Sequence, residues 1–449
     1  TAVGFAALYF SKIEAIREFG LNAAMGVILA YLLVLFFASS LLLVIHKNLA
    51  KSQKLKPRNW HSLLAALHQM NLKKRKTIVF TLLGLLLITV FGIMQISTNT
   101  LMSDDLPKNS AIRSDYSFFE NHFGGVRSFE LALLPQNELK LYDAEVMLQI
   151  EKLSLYLRDS QKMRQIIDPN IPYRMLHHAY SRGRSDYELP SSIEQLRRYA
   201  AKRTFIPHES LKRIQNASGT LGRISARQND LGTNYHAEQT HVIEKWAGQH
   251  LDSTLLTVRP VGTTLMYDHN HTYLRQSLFR SLGLALCIVA LLFALLFKDV
   301  KMLWISIIPN LIPLLLAAAV MGFLEIKLYA LTSIFFAISF GIAVDDTIHF
   351  LTRFKLERKK GKSVEEAIEQ TFLISGKALV ITSILLVSAF ISLAFSDFRG
   401  TSYIGILVSS TLVFALLADF FLLPQLLYFF YGKKDKQAKS STADLPKVK

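Results

Sequence analysis

The sequence predicts a polytopic α-helical membrane protein with an α+β domain inserted between its spans. Three observations carry this. Of the 449 residues, 51% are hydrophobic and only 19% charged; apolar runs long enough to cross a bilayer recur along the chain; and one stretch, 98–275, has the composition of a soluble domain. A mean hydropathy of +0.28 with 21 Gly and 12 Pro argues against a soluble cytosolic enzyme and excludes a disordered or collagen-like chain. The single cysteine, Cys287, leaves no intramolecular disulfide and no Cys-based metal site.

The elements follow in chain order. Residues Thr1 to Phe10 are apolar but lack the basic start and small-residue cleavage site of a signal peptide, so they read as the cut end of a membrane helix. Full spans are predicted at 20–45, 77–97, 281–297, 302–324, 328–352, 378–396 and 402–431, with a stump at 1–11. The resulting organisation is 1–45 as two membrane helices, the first truncated; 46–76 as a basic linker; 77–97 as a span; 98–275 as the inserted domain; 276–431 as a five-helix bundle; and 432–449 as a basic tail. Within the linker, Trp60, Leu63, Leu64 and Leu67 fall at helical spacing between basic ends, which predicts an amphipathic helix on the anionic inner leaflet.

In the inserted domain, Ser128 to Leu134, Met163 to Ile167 and Thr254 to Val258 read as strands. Leu141 to Asp159, Ser191 to Lys202 and Tyr235 to His250 read as helices, with joins at Asp168-Pro169 and Pro260-Val261-Gly262.

Charge sets the orientation. Segments 46–76, 298–301, 353–377 and 432–449 hold 24 basic and 7 acidic residues, whereas 98–275 holds 22 and 20. The alternation of spans puts those four segments on one side, which the positive-inside rule makes cytoplasmic, with 98–275 extracytoplasmic. A basic excess confined to membrane-flanking loops is a topological signal, so nucleic acid is not an expected partner.

At an offset of 385 residues the chain aligns with itself. Phe5 meets Phe390, Phe10 and Ser11 meet Phe395 and Ser396, Gly20 meets Gly405, and Phe36 meets Phe421. The chain resembles the resistance-nodulation-division superfamily. The resemblance is carried by Gly341-Ile-Ala-Val-Asp345-Asp346-Thr-Ile-His349-Phe350, by Asp104-Asp105-Leu106-Pro107 through His122-Phe123-Gly124-Gly125-Val126, and by Gly4-Phe5-Ala6-Ala7-Leu8. Within the superfamily it is most similar to the MMPL, Dispatched and hopanoid-transporter branch.

That resemblance implies a tandem-repeat fold in which 98–275 is a porter-like domain and most of the first half lies upstream of Thr1. It implies a secondary active transporter rather than an enzyme, exporting hydrophobic or lipid-like substrates from the inner (plasma) membrane on the proton-motive force. No cofactor is implied beyond the coupling ion, a proton or another monovalent cation. The partners implied are the substrate, the membrane, the upstream half of the same protein, without which the chain is not expected to transport, and a further copy of the chain. A sterol-sensing-like regulatory protein and an accessory subunit of protein export remain the alternatives.

The candidate site rests on intramembrane carboxylates. Asp345 and Asp346 lie in an apolar span, about 12 Å of helix rise from Arg353. An ionised carboxylate there costs at least about 2.5 kcal/mol, so the pair reads as a proton relay or cation site, or else as one half of a buried ion pair. Successive residues differ by about 100° around the axis, so one Asp faces the bundle. Gly341, Asp345 and His349 share a face, which favours Asp345, and Gly341 permits close helix packing. The resemblance implies coupling roles for Asp345 and Asp346; His349 and Asp419 are further relay candidates.

Other features read as structural. Asn310 between Pro309 and Pro313 can satisfy carbonyls that the prolines free, and Gly376-Lys377 reads as topology. No Gly-rich Lys-Ser/Thr phosphate loop and no His-Glu-x-x-His occurs. Neither His177-His178 nor His269 and His271 beside Asp268 makes a convincing metal set.

Overall fold

The structure is a computed structural model. It describes residues 2–6, 9, 14–38, 40–41, 60–104, 106–107, 110–182, 187–190, 192–202, 211–328 and 330–432. The basic stretches 46–59 and 433–449, together with Asp105, lie outside the described residues. The chain divides into two compact units, residues 1–98 with 274–449, and residues 99–273.

The helical unit opens with α1 (Ala2–Ala6), α2 (Glu14–Leu33), α3 (Trp60–Lys73) and α4 (Arg75–Met94). The chain then enters the second unit with α5 (Ala111–His122), β1 (Arg127–Pro135), α6 (Ala144–Asp159), β2 (Arg164–Ile167) and α7 (Ile171–Tyr180). That unit continues with α8 (Ile193–Ala201), β3 (Gly222–Gln228), α9 (Thr233–His250) and β4 (Leu256–Val261). The unit boundary falls inside α10 (Thr263–Phe297), and α11 (Val300–Phe323), α12 (Ala330–Lys359), α13 (Val364–Ile391) and α14 (Arg399–Leu417) follow.

Five helical segments among the described residues are long and apolar enough to cross a membrane: Arg17–Ala38, Arg75–Met94, Val300–Phe323, Val364–Phe395 and Arg399–Gly432. The two other spans expected from sequence lie in α10, whose apolar segment Gly283–Phe297 is shorter, and in α12. Helix ends carry their own signals. Ser363 and Glu366 form a reciprocal capping box at the start of α13, and the Asp299 carboxylate accepts from the Lys301 N–H at the start of α11. Asn310 donates to Ser306 O at 2.7 Å, one residue from the Ile305 carbonyl that Pro309 frees.

The internal repeat has a structural counterpart. Helices α2 and α14 occupy equivalent positions of the repeat, Glu14–Leu33 against Arg399–Leu417. Each of these helices then passes into a π-turn, Val34–Ala38 after α2 and Ala418–Leu422 after α14, and the second helix resumes over 423–432.

The linker helix departs from expectation. Leu64, His68 and Asn71, on one stripe of α3, are buried against the helical unit itself, with Leu64 seated over Gly376 of α13. The amphipathic pattern was read as a lipid-facing surface; much of the covering is instead supplied by this chain's own helices. Leu63, on the other side, remains exposed.

In the second unit the sheet order is β2-β3-β1-β4, all antiparallel, so β1 is central and β4 an edge. Phe129, Leu131 and Leu133 alternate onto the buried face of β1 and meet Val146, Ile150, Leu153 and Leu157 of α6 and Ile243 of α9. Each such side chain contributes about 1.5–3 kcal/mol on burial. β4 runs through Pro260, opposite Leu131, before turning at Gly262, whereas the sequence placed the turn at Pro260. An edge strand tolerates the missing N–H donor of a proline. Gly125, at φ +103°, leads α5 into β1 where a Cβ would lie 2.0 Å from Gln228 O.

Helices α4 and α11 approach through small residues: a Cβ on Gly322 would stand 1.8 Å from Gly92 O, and one on Gly92 2.8 Å from Ala319 Cβ. Gly322→Leu is therefore expected to cost about 3 kcal/mol or more through overpacking. Thermal unfolding in detergent measures it, and wild-type stability would show that the two backbones do not pack this closely.

Candidate functional site

Four of the sequence candidates lie along α12. Gly341 is buried, Asp345 is 47% exposed in its side chain and His349 68%, so their shared face opens towards the C-terminal end of the helix. His349 Nε2 stands 3.8 Å from Asp345 Oδ1, beyond hydrogen-bond reach. Asp346, about 100° further round the helix, faces α13, where Ser383 Oγ donates to its Oδ2 at 3.1 Å. Asp346 is thus the carboxylate of the pair that bonds α13.

Asp419 joins the same seam from the π-turn after α14. It is 2% exposed, and Thr347 Oγ1, next to Asp346 in α12, donates to its Oδ1 at 2.8 Å. Its other oxygen, Oδ2, is buried with no hydrogen-bond partner among the described residues. Asp346 and Asp419 are within electrostatic reach of one another. The helices therefore bring together two carboxylates and two hydroxyls on three neighbouring elements.

The cation expected of a structural ion pair is elsewhere. Among the described residues no Lys or Arg makes a salt bridge to Asp346 or Asp419. Arg353 is turned away, its Nη2 2.7 Å from Glu357 Oε1. Lys360 and Lys362 complete that cluster at 2.9 and 2.7 Å, and their hydrogen bonds hold the Glu357 carboxyl down to about 2. The basic cluster at the end of α12 is thus committed to Glu357, which leaves the seam without a permanent counter-ion from it.

The N-terminal helices also reach α12. Phe5 of α1 and Ala24 of α2 are buried together with Ile342 packed against them.

A second polar cluster, within the unit of residues 99–273, was not foreseen. Arg127, the first residue of β1, is fully buried between Asp230 at 3.3 Å and Asp268 of α10. Tyr116 of α5 donates to Asp230 Oδ2 at 3.1 Å. His236 of α9 accepts from the Leu231 N–H at its Nε2, so its proton sits on Nδ1, 3.1 Å from Gln239 Oε1. Burial, and then the Arg127 charge, hold His236 down to about 4, and burial pushes Asp268 up.

Local motifs could not reveal this cluster, because its members come from five separate segments. Sequence had singled out Asp268 only as a neighbour of His269 and His271. Among the described residues no group of three His, Cys, Asp or Glu side chains is arranged to hold a metal ion.

Comparison with known proteins places this geometry. The MMPL family matches residues 1–71 and 121–442. The chain belongs to the MMPL family. A membrane protein of Methanocaldococcus jannaschii is 22% identical over 360 residues, covering 77% of this chain and 89% of its own. Among solved structures, the hedgehog release protein Disp from the water bear Hypsibius dujardini superposes with a TM-score of 0.59 at 15% identity. That superposition covers 95% of this chain and 57% of Disp. SecDF, a translocon-associated membrane protein from Thermus thermophilus, matches with a TM-score of 0.47 at 13% identity, over 96% of this chain and 47% of its own. The chain thus spans about half the length of the solved structures it matches. An MMPL chain with these apolar helices is a multi-pass membrane protein of the resistance-nodulation-division fold.

The outer cluster makes stability depend on pH. The folded state keeps His236 neutral down to about pH 4, whereas an unfolded chain protonates it near 6.5. The unfolded state therefore binds more protons between those values, and stability rises with pH across that window. Asp268 acts in the opposite sense at the acid end of the window. From His236, hydrogen-exchange protection of the β1–β3 ladder is expected to be about 2 kcal/mol lower at pH 5 than at pH 7. The difference should vanish in His236→Gln; an equal slope in that variant would remove His236 as its source.

Proposed function

We propose that this protein is a secondary active transporter, not an enzyme, that uses the proton-motive force to export hydrophobic or lipid-like substrates from the inner membrane, with residues 98–275 on the extracytoplasmic side. The observation that carries the reading is the seam of Asp346, Thr347, Ser383 and Asp419. It holds two carboxylates in apolar helices with hydroxyl partners and, among the described residues, no cation bridged to either. Such carboxylates are costly to keep ionised and mark proton or ion pathways. Asp345 and His349, on the more open side of α12, are the groups through which a proton would reach the seam from water, and Gly341 allows the helix carrying them to pack closely.

The coupling follows from population shift. A proton on Asp346 or Asp419 changes which hydroxyl contacts are favourable between α12, α13 and α14. A cycle that binds the proton in one conformation and releases it in the other performs transport. The sided basic charge supports the orientation, and the family supports transport as the class.

In the intact protein, Asp346→Asn is expected to fold and reach the membrane, because an amide mimics the protonated acid, yet to lose proton-dependent export by at least about tenfold. Export into acceptor vesicles under an imposed pH gradient measures it. Wild-type flux in Asp346→Asn and in Asp345→Asn would refute proton coupling through this helix and favour a regulatory role without flux.

A further inference from the structure

We propose that Asn71, in the linker helix α3, is a positioning residue for Asp419, acting through the π-turn Ala418–Leu422. The proposal rests on the reading of Asp419 as part of the proton-binding seam.

A π-turn inserts one extra residue into a helix, which breaks the regular hydrogen-bond ladder and re-aims the side chains beside it. Asn71 holds this one from outside the helix. Its side chain is fully buried, and its Nδ2 donates to Phe420 O at 2.9 Å, inside the turn, as well as to Leu67 O at 3.1 Å in its own helix. From the other side of the turn, Gln425 Nε2 donates to Asn71 Oδ1 at 3.0 Å and to Asn71 O at 3.2 Å. One residue of α3 therefore ties both flanks of the turn, and Asp419 stands immediately before the carbonyl it holds.

Packing supports the same clasp. Leu64, one helical stripe from Asn71, sits where a Cβ on Gly376 would be 2.9 Å from it and 3.5 Å from the Phe420 ring. His68 lies against Phe372, whose ring meets Phe420 at 5.3 Å. Thus Leu64, His68 and Asn71 seat α3 over the turn.

The internal repeat shows that the turn alone does not require this arrangement. At an offset of 385, Asp419 corresponds to Val34 and Gln425 to Ser40, so the first copy has the π-turn Val34–Ala38 with neither the carboxylate nor the clasping amide. The carboxylate and the clasp occur together in the same copy.

The titratable groups facing this region are Asp346 of α12, His68 of α3, and Glu365 and Glu369 of α13 towards His68, with Arg75 of α4 over the Tyr428 ring. None of them bonds the free oxygen of Asp419. Movement of α3 would therefore reach Asp419 through the backbone of its own turn.

The test is modification of Asp419 by a hydrophobic carbodiimide, which reacts with the protonated carboxyl, followed across pH by peptide mass spectrometry on the intact protein in proteoliposomes. Asn71→Leu, close in volume but without a donor, is expected to shift the labelling midpoint by about one pH unit or to abolish labelling. Gln425→Leu should give a smaller shift, and Asn71→Gln, which restores a donor, should recover part of it. An unchanged midpoint in Asn71→Leu with only a lower melting temperature would reduce Asn71 to a packing residue and overturn the proposal, as would wild-type Asp419 that labels at no pH. Wild-type export by Asp419→Asn would instead refute the role of Asp419 in coupling, while leaving a shifted labelling midpoint in Asn71→Leu in place.

Discussion

The controlling constraint is that a buried carboxylate inside apolar helices needs either a cation or a proton. In this protein Asp346 and Asp419 receive one hydroxyl each, from Ser383 and Thr347, and the nearest basic cluster on α12 is committed to Glu357. Hydroxyl donors stabilise a carboxylate only partly, and each can turn to accept instead when the acid carries its proton. The seam is therefore not a locked ion pair among the described residues, and the proposed coupling role requires that freedom. The close small-residue packing of α4 on α11 and the aromatic packing of Phe350, Phe372 and Phe420 give that seam a rigid surround.

The repeated helix explains how the second carboxylate arrives there. Both copies pass from a regular helix into a π-turn. In the second copy the turn carries Asp419 and is clasped by Asn71 and Gln425. The same backbone feature thus carries polar side chains, Asp419 and Gln425, where the other copy has Val34 and Ser40. The linker helix, outwardly a membrane-surface element, becomes part of the wall behind the seam.

Much of the architecture was legible in the sequence because it depends on local pattern. The gapless repeat, the apolar runs, the strand β1 with its alternating Phe129, Leu131 and Leu133, and the helix α6 all follow from periods that a single segment displays. β3 was not, since Gly222–Gln228 alternates small residues with arginines and offers little apolar signal. The carboxylates themselves were legible from their cost in lipid, but the bond from Ser383 to Asp346 was not, because that partner belongs to another helix. The same limit hid the buried face of α3, whose partners Gly376 and Phe420 lie more than 300 residues away, and the Arg127 cluster, assembled from distant segments. Long-range polar partners leave no period to read.

The central claim, that the seam binds and releases a proton, is tested most directly by difference infrared spectroscopy of the intact protein in lipid, stepping between about pH 5 and pH 9. The account predicts a carboxylic acid C=O band that appears at the acid end, is diminished in Asp346→Asn or Asp419→Asn, and is lost when both are replaced. A spectrum in which that band is absent, or is unchanged in the double variant, would contradict it.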